Sequence, residues 1–380
     1  MPAESSPLLV VAVTGRVLAA SAARGGRRVV VLDYFSDSDT CALATACRSV
    51  VSPRGLRFDR RRLLASAAEL APPARSAGLV YGSGFEGRIA LLSRLAAGRR
   101  LFGNRPEVVA EVRDPIRIFP LFDRLGIGHP EVRLLMPTDP RGWLVKQPGG
   151  AGGVHVLPAD RPHPRAGAYY QRLRPGRACS ALFLADGRRA CIVGFNEQWQ
   201  SAAREGLPYL YGGAVGRIPL PPAVEADIRA RLDALVAALG LVGLNGIDFL
   251  LHEETWSALE VNPRPTATME LYDADYDHGL FDAHLRACEG ELPARAAPAQ
   301  VVRASRIVHA VHAWQMPDGF DFPNWCHDIP QAGTRMAPGD PICTVQAEGG
   351  DALGAGALVR ERELSVGRMI LEAAPHAVPE

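Results

Sequence analysis

Short apolar runs alternate with helix-like stretches along the first hundred residues of the chain. The apolar runs predict buried strands at residues 8–13, 28–33 and 78–82. Residues 16–24 and 87–97 have the spacing of helices that follow the first and third strands. Because strands alternating with helices usually form a parallel sheet, this pattern predicts a doubly wound α/β domain. We expect this domain to end at Asn104-Arg-Pro106 and therefore to comprise residues 1–106.

The pattern changes after residue 106. Helices are predicted over residues 115–125 and 223–239. Predicted strands and hairpins surround them at residues 143–146, 154–157, 168–173, 180–184, 190–196, 246–251 and 256–261. Asp186-Gly187, a pair typical of hairpin turns, separates two of these strands. Residues 107–292 therefore predict an α+β domain.

The last part of the chain has a third pattern. Residues 293–300 are rich in proline and alanine and predict a linker. From residue 301 onward, short strands alternate with turns such as Pro338-Gly339-Asp340-Pro341. The sequence therefore predicts a small β-rich C-terminal domain over residues 301–380.

Charge and composition exclude several classes of protein. The 42 basic and 41 acidic residues give a net charge of +1, which provides no broad attraction to nucleic acid or an anionic membrane. The longest apolar stretch, residues 234–244, is too short to span a bilayer. Seven cysteines without a Cys-x-x-Cys pair argue against disulfides and structural zinc, and they favour a cytoplasmic protein.

The segment Gly82-Ser-Gly84-Phe-Glu-Gly87 has the spacing of a dinucleotide-binding loop. Such a loop normally follows the first strand and precedes an acidic residue by about 20 positions. This one follows the third predicted strand, and residues 99–104 contain no acid. A glycine turn is therefore the favoured interpretation, with an NAD-dependent oxidoreductase as an alternative. Because ligands bind at the carboxyl edge of such sheets, Glu86 is a candidate substrate contact.

Lys146 is the single lysine among the 42 basic residues of the chain. It ends a predicted strand directly before Gln147-Pro-Gly-Gly-Ala-Gly-Gly153. Glycines let successive backbone N–H groups point at an anion, and the ammonium adds a full charge. A glycine hairpin beside a solvated lysine has the same sequence pattern, but chance seldom places a lone lysine there. We therefore expect this segment to bind phosphate groups.

A second candidate group combines carboxylates with an amide. Asp248 and Glu260 lie on successive predicted strands, and Asn262-Pro-Arg264 follows. If these strands pair antiparallel, the side chains converge into a donor set that suits Mg²⁺ shared with phosphates. Arg264 can clamp a phosphoryl group or a carboxylate in bidentate fashion. Acids on strands are often merely solvated, but the upstream lysine and glycines favour a site here.

In chain order, the motifs are Lys146 with its glycine-rich segment, Gln171-Arg-Leu-Arg-Pro-Gly176, Gly246-Ile-Asp248-Phe and Glu260-Val-Asn-Pro-Arg264. In these motifs, the chain from residue 1 to about residue 290 resembles the ATP-grasp superfamily of carboxylate–amine ligases. The resemblance implies a Rossmann-like N-terminal domain, an ATP-grasp nucleotide-binding core and a small C-terminal β-rich domain. It also implies ATP with Mg²⁺ or Mn²⁺ as cofactors.

The resemblance further implies roles for individual residues. The expected nucleotide contacts are Lys146, Gly149, Gly150, Gly152, Gly153 and the hinge residues Tyr170, Gln171, Arg172 and Leu173. The expected metal ligands are Asp248, Glu260 and Asn262. Arg264 would touch the acyl phosphate and, with Lys146, is the expected catalytic group.

The chain departs from the family pattern at two positions. The family usually has an Asp-Lys pair at the start of the nucleotide domain, where this chain has Asp114-Pro115. Arg113 or Arg117 would then replace the second lysine. At the hinge, Arg172 stands where the family usually has an acid. Both departures affect the detailed nucleotide contacts.

The sequence as a whole predicts an ADP-forming ligase that joins a small carboxylate to an amine through an acyl phosphate. No nucleic-acid or membrane partner is expected, and a homodimer is the candidate assembly. A non-catalytic nucleotide-binding subunit, inactivated by the missing lysine, is a further alternative. The whole-chain pattern also resembles carboligase-related proteins found with one-carbon cofactor genes in methylotrophs. That resemblance implies amino-acid addition in tetrahydromethanopterin or methylofuran biosynthesis.

Overall fold

A five-stranded parallel sheet forms the N-terminal part of the protein, whose computed structural model describes residues 6–53, 55–161, 167–293 and 301–373. The strand order is β3-β2-β1-β6-β7. The strands are β1 Leu8–Val11, β2 Val29–Asp33, β3 Ala46–Ser49, β6 Gly78–Tyr81 and β7 Leu101–Phe102, beside a hairpin of β4 Val51–Ser52 and β5 Gly55–Phe58. The predicted parallel sheet is confirmed.

Helices cover both faces of this sheet. They are α1 Arg16–Arg24, α2 Ser38–Leu43, α3 Arg60–Leu70 and α4 Ile89–Ala96, with a 3-10 turn at Pro73–Arg75. Side chains alternate along β1, so Val10 packs with α1 on one face and Val11 packs with α3 and α4 on the other. Burial on both faces explains the unbroken apolar run of β1. Helices α2 and α3, strands β3 and β7, and the hairpin of β4 and β5 were not predicted from the sequence.

Two consecutive helices lead into a small sheet of four strands. Helix α5 Pro106–Arg113 is followed by α6 Pro115–Leu125, whose first turn is capped by the Asp114 carboxylate on the Ile116 N–H. The small sheet, here called the lid sheet, has the order β10-β9-β11-β8. Its strands are β8 Val132–Arg133, β9 Trp143–Lys146, β10 Val156–Pro158 and β11 Tyr169–Arg172.

The largest sheet has eight strands in the order β16-β15-β12-β13-β14-β17-β21-β19. They are β12 Arg177–Asp186, β13 Ala190–Gln200, β14 Tyr211–Val215, β15 Val242–His252, β16 Thr255–Asn262, β17 Val302–His309, β19 Cys326–His327 and β21 Pro341–Gly349. Helix α7 Pro222–Leu239 packs with Phe183 on one face, and helix α8 Gly279–Cys288 packs with Leu182 on the other. Two 3-10 turns, Ala267–Leu271 and Asp273–Asp275, precede α8.

The C-terminal segment continues this large sheet. Strands β17 and β21 pair along their length, and β17 also pairs with β14 of the core. A separate pair, β18 Trp314–Gln315 and β20 Arg335–Met336, lies beside them. The expectation of strands and turns holds up to β21, after which helix α9 Ala352–Ala373 packs Val359 and Val366 into the main core.

The domain limits at residues 106, 292 and 301 stay predictions. Seven residues of the expected linker, 294–300, lie outside the described residues. No helix within the described parts of the chain is both long and apolar enough to cross a membrane.

Candidate active site

A cleft of about 760 Å³ lies between the lid sheet and the large sheet. The expected site residues that line it are Lys146, Gly152, Gly153, Gln171, Arg172, Leu173, Asp248, Glu260, Asn262 and Arg264. Gly149, Gly150, Tyr170 and Glu86 do not line it. Antiparallel pairing in both sheets thus brings together most of the residues expected from four separate motifs.

Lys146 ends β9 and is almost completely buried, with 5% of its surface exposed. It is held between Val156 of β10 and Tyr169 of β11, its partners in the lid sheet. Burial lowers the pKa of its ammonium, while the charges of Glu260 and Asp248 act to raise it. A buried cation that faces carboxylates and an open cleft is well placed for an anionic ligand.

Residues 147–153, here called the glycine loop, are folded tightly onto their surroundings. Gly149 (φ 79°) packs on the backbone of Gly87, and Gly153 (φ 77°) packs on the carbonyl of Tyr209. A side chain at Gly150 would overlap the ring of His155. These close approaches explain why the loop is rich in glycine, because no other residue leaves the same space at positive φ.

Asp248 and Glu260 are direct partners in the antiparallel pairing of β15 and β16. Burial and the neighbouring Glu260 charge raise the pKa of Asp248 to about 7. Burial acts in the same direction on Glu260, but Arg113, His155 and Lys146 hold the pKa of Glu260 well below its usual range. Within the pair, the surroundings therefore favour the ionised form at Glu260 and disfavour it at Asp248.

The donor set fits a hard divalent cation. The carboxylates of Asp248 and Glu260 supply oxygen ligands, and the Asn262 amide lies beside them with its Nδ2 donating to Asp248 Oδ2 at 3.0 Å. Gln198 Nε2 donates to the other Asp248 oxygen at 2.9 Å. Among the described residues, no group of three or more His, Cys, Asp or Glu side chains is arranged to hold a metal. An ion such as Mg²⁺, which keeps waters and phosphate oxygens as ligands, needs no such group.

Arg264 is fixed by partners on both sides. It forms an ion pair with Glu86, and its Nη2 donates to Asn262 Oδ1 at 3.2 Å. The other Glu86 oxygen accepts from the Gly84 N–H at 2.7 Å, so this carboxylate is buried behind Arg264. The structure thus shows Glu86 positioning Arg264, and a direct contact between Glu86 and substrate stays a prediction.

The contacts of Glu86 also bear on the segment Gly82–Gly87. Its Gly84 N–H is already used by the Glu86 carboxylate, and Gly87 lies against the glycine loop. The segment follows β6 in the chain, as the sequence indicated. It therefore has an internal structural use that requires no dinucleotide.

Tyr170 and Gln171, which are adjacent in the hinge segment, face opposite sides of the lid sheet. Tyr170 packs away from the cleft with Trp143 and Val145. Gln171 points into the cleft with 1% of its surface exposed, and neither its Oε1 nor its Nε2 has a hydrogen-bond partner. A buried amide with an unused donor and acceptor is costly unless a ligand completes it.

Arg113 and Arg117 are the two expected replacements for the missing lysine, and their surroundings in the structure differ. Arg113 is buried and donates to Glu260 Oε2 at 3.3 Å. Arg117 is largely exposed and lies 3.6 Å from its neighbour Asp114. His155 and Gln198 were missed altogether. The position of His155, directly after the glycine loop, could have indicated it, whereas only strand pairing reveals Gln198.

These elements form an open cleft between two antiparallel sheets, with a buried lysine, two carboxylates and an arginine along its lining. Residues 122–268 match the family model of the ATP-grasp domain. The carbamoyl phosphate synthase large chain of Deinococcus radiodurans is 24% identical over 243 residues, which is 56% of this chain and 23% of that protein. The chain thus spans about a quarter of the length of the curated relatives it matches.

Solved structures with similar folds cover nearly the whole chain. N5-carboxyaminoimidazole synthase from Aspergillus clavatus, solved with ADP and 5-aminoimidazole ribonucleotide, has a TM-score of 0.68 at 14% identity and covers 96% of this chain and 99% of its own. L-amino acid ligase from Bacillus licheniformis has a TM-score of 0.68 at 13% identity, and the match covers 94% of this chain and 97% of that ligase. At such identities the likeness concerns the fold.

The chain therefore contains an ATP-grasp domain, and its overall fold is the ATP-grasp fold. The predicted fold class and the resemblance stated from the motifs are confirmed. ATP-grasp enzymes are ATP-dependent ligases or carboxylases that use ATP with Mg²⁺ or Mn²⁺, which also agrees with the expected cofactors.

Proposed function

We propose that this protein is an ADP-forming ligase that activates a small carboxylate with ATP and transfers the acyl group to an amine. The observation that carries the proposal is the convergence of Lys146, the Asp248–Glu260 pair and Arg264 on one cleft. A buried cation, a metal-type donor set and a fixed guanidinium are the groups that phosphoryl transfer to a carboxylate requires.

The nucleotide would lie along the length of the cleft. Lys146 and the backbone of the glycine loop would face the phosphates, because they supply the cation and the exposed N–H groups at one end. Gln171 would face the base, since its unpaired donor and acceptor match the edge of a purine. The burial of Lys146 beside the cleft and the unpaired amide of Gln171 support this placement.

Asp248, Glu260 and the Asn262 amide would hold Mg²⁺ or Mn²⁺. When bound, the ion supplies positive charge next to the transferring phosphoryl group. The chain provides the rest of the electrostatic environment: Lys146 offsets negative charge on the phosphates, and Gln198 fixes the orientation of the Asp248 carboxylate.

Arg264 would orient the reacting carboxylate. A substrate carboxylate oxygen attacks the γ-phosphorus of ATP, the bond to the β,γ-bridging oxygen breaks, and ADP leaves with that electron pair. The amine then attacks the acyl carbon, phosphate departs, and the proton lost by nitrogen ends on phosphate or solvent. Arg264 would stabilise the negative oxygens in both steps, while the closed glycine loop excludes water that would hydrolyse the intermediate.

The finer form of the proposal names the biological reaction. Addition of an amino acid in tetrahydromethanopterin or methylofuran biosynthesis follows from the whole-chain resemblance given above. A homodimeric assembly and a cytoplasmic location stay predictions of the same kind.

The test measures ADP formation that depends on an added carboxylic acid substrate. Purified protein with MgATP is screened against pooled small carboxylates, with hydroxylamine as the acceptor that traps an acyl phosphate as a coloured hydroxamate. We expect ADP and hydroxamate in equal amounts for the true substrate. ATP binding without ADP formation in response to any carboxylic acid would favour a non-catalytic nucleotide-binding subunit. A change in nicotinamide fluorescence without ATP binding would favour an oxidoreductase.

A further inference from the structure

The glycine loop is closed over the cleft by contacts with three separate parts of the molecule. Gly149 packs on the Gly82–Gly87 segment, and the Gly152 carbonyl accepts from the Tyr211 N–H at 3.0 Å. The third contact is made by a side chain. Arg113 Nη2 donates a hydrogen bond to the Gly150 carbonyl. A single substitution can therefore remove the third contact and leave the backbone contacts in place.

Arg113 holds more than the loop. Its other terminal nitrogen donates to Glu260 Oε2 at 3.3 Å and to the Val261 carbonyl at 3.4 Å. The guanidinium thus joins the glycine loop to the strand that carries a proposed metal ligand. Its side chain is 8% exposed, so these bonds are shielded from water and are stronger than surface contacts.

His155 strengthens the same junction. Its Nε2 lies 3.8 Å from Glu260 Oε2, the oxygen that Arg113 also approaches. Its ring packs against Gly150, and its carbonyl accepts from the Gln147 N–H at 3.2 Å. Glu260 Oε2 is therefore the shared point at which a loop-holding arginine and a loop-packing histidine meet.

We propose that Arg113 is a positioning residue that couples closure of the glycine loop to the position of the Glu260 carboxylate. The fork of the guanidinium lets one residue bind the Gly150 carbonyl and the Glu260 carboxylate at once. Through Arg113, closure of the loop and placement of Glu260 stabilise one another. The inference deepens the proposed function, since it assigns the loop and the metal-type carboxylates to one coupled unit.

A phosphate-binding role for Arg113, in place of the missing lysine, makes a different prediction. A phosphate contact acts only when nucleotide is present, and a lysine would largely supply it. The coupling already exists in the ligand-free protein and depends on the fork. The two roles therefore separate in measurements made without nucleotide or metal.

The experiment measures backbone amide exchange in the ligand-free protein in EDTA. The reporting amides are Gln147, Gly150 and Tyr211, whose hydrogen bonds belong to the closed loop. Arg113→Met, which keeps the apolar stem, is expected to speed exchange at these amides by about tenfold, because a charged hydrogen bond is lost. Amides of β1 should be unchanged, which controls for the fold. Arg117→Met, four residues along the chain, is the matched variant and should match wild type.

Two further variants sharpen the result. Arg113→Lys should restore less than half of the lost protection, because an ammonium lacks the fork. Glu260→Gln should loosen the loop as well, and in the double variant Arg113→Met/Glu260→Gln the two effects should fail to add, since both remove the same coupling. Wild-type loop exchange in Arg113→Met, full rescue by lysine, or additive effects would each overturn the proposal. These outcomes need no substrate, so they stand apart from success or failure of the ligase assay.

Discussion

The surroundings of Lys146 act on its charge in opposite directions. The burial of its ammonium lowers its pKa, and only the carboxylates across the cleft favour the charged form. A cation kept under these conditions interacts strongly with a bound anion, because little water remains to screen it. At the scale of single residues, we therefore expect the proposed site to depend on this lysine and on the two carboxylates that face it.

The first prediction concerns Lys146→Ala. We expect the affinity for ATP to fall, because the charge facing the phosphates is lost. ADP formation in the presence of the carboxylate substrate should slow by a factor that corresponds to about 2–4 kcal/mol of lost transition-state stabilisation. Lys146→Arg should recover only part of the activity, since the planar fork is bulkier than an ammonium. Calorimetric ATP titration and ADP release measure both. Unchanged affinity and turnover in the alanine variant would contradict the assignment.

The second prediction concerns the metal. Glu260→Gln should keep the fold yet lose most metal-dependent phosphoryl transfer, because an amide oxygen does not replace the charge of a carboxylate toward a hard cation. Asn262→Ala should act in the same direction but more weakly. ADP formation against Mg²⁺ concentration provides the measurement, with circular dichroism as the fold control. Turnover that survives EDTA would rule out the proposed site.

At the scale of elements, the glycine loop shows how backbone shape limits side-chain choice. Gly152 and Gly153 both have positive φ, at 66° and 77°. They differ in surroundings, because a side chain at Gly152 meets open space and one at Gly153 would overlap the Tyr209 carbonyl. The two positions therefore separate backbone strain from steric closure.

The third prediction uses this pair. Gly153→Ala should prevent the loop from closing and weaken ATP binding more than tenfold, because the clash adds to the strain of positive φ. Gly152→Ala should cost only the strain, about 1 kcal/mol. Equilibrium ATP binding to both variants, at matched thermal stability, measures the difference. Equal loss of affinity in the two variants would show that the close approach to Tyr209 has no role in binding.

At the scale of the whole molecule, the C-terminal segment is joined to the N-terminal sheet by buried polar contacts. Asp328 accepts from Thr14 and Arg16, while its own N–H donates to Asp39. Asp37 lies at this junction, where burial and the neighbouring Asp328 charge raise its pKa to about 8. The junction therefore buries a carboxyl group that is most easily accommodated when protonated.

The fourth prediction follows from the sign of that shift. Between about pH 4 and pH 8, native Asp37 keeps a proton that the unfolded chain has lost, so its contribution lowers the free energy of unfolding as pH rises. Asp37→Asn removes this penalty. The variant should be more stable than wild type at pH 8 and about equally stable at pH 4. Urea unfolding of the variant and of wild type at both pH values tests this prediction. An equal difference in the free energy of unfolding at pH 4 and pH 8 would contradict it.

The sequence by itself determined the alternating strands and helices of the N-terminal part, because continuous apolar runs and glycine turns are local signals. It also singled out residues that the structure brings to one cleft, since Lys146 is the single lysine and Glu260-Val-Asn-Pro-Arg264 is compact in the chain, while their chemical roles stay predictions. Helix α9 was missed although its buried residues Ala355, Val359, Val366 and Ile370 follow helical spacing, and its packing on β17 and β21 explains its position.

Only the tertiary structure decided how the site residues are oriented and held. Glu86 is close to Arg264 in space but 178 positions away in the chain, so sequence could not show that it holds the guanidinium instead of lying open in the cleft. Tyr170 and Gln171 are adjacent in sequence, yet the pleat of β11 sends one away from the cleft and the other into it. Arg113 gained its partners only when the glycine loop and β16 met beside it. Long-range pairing fixes such contacts, and no local pattern encodes them.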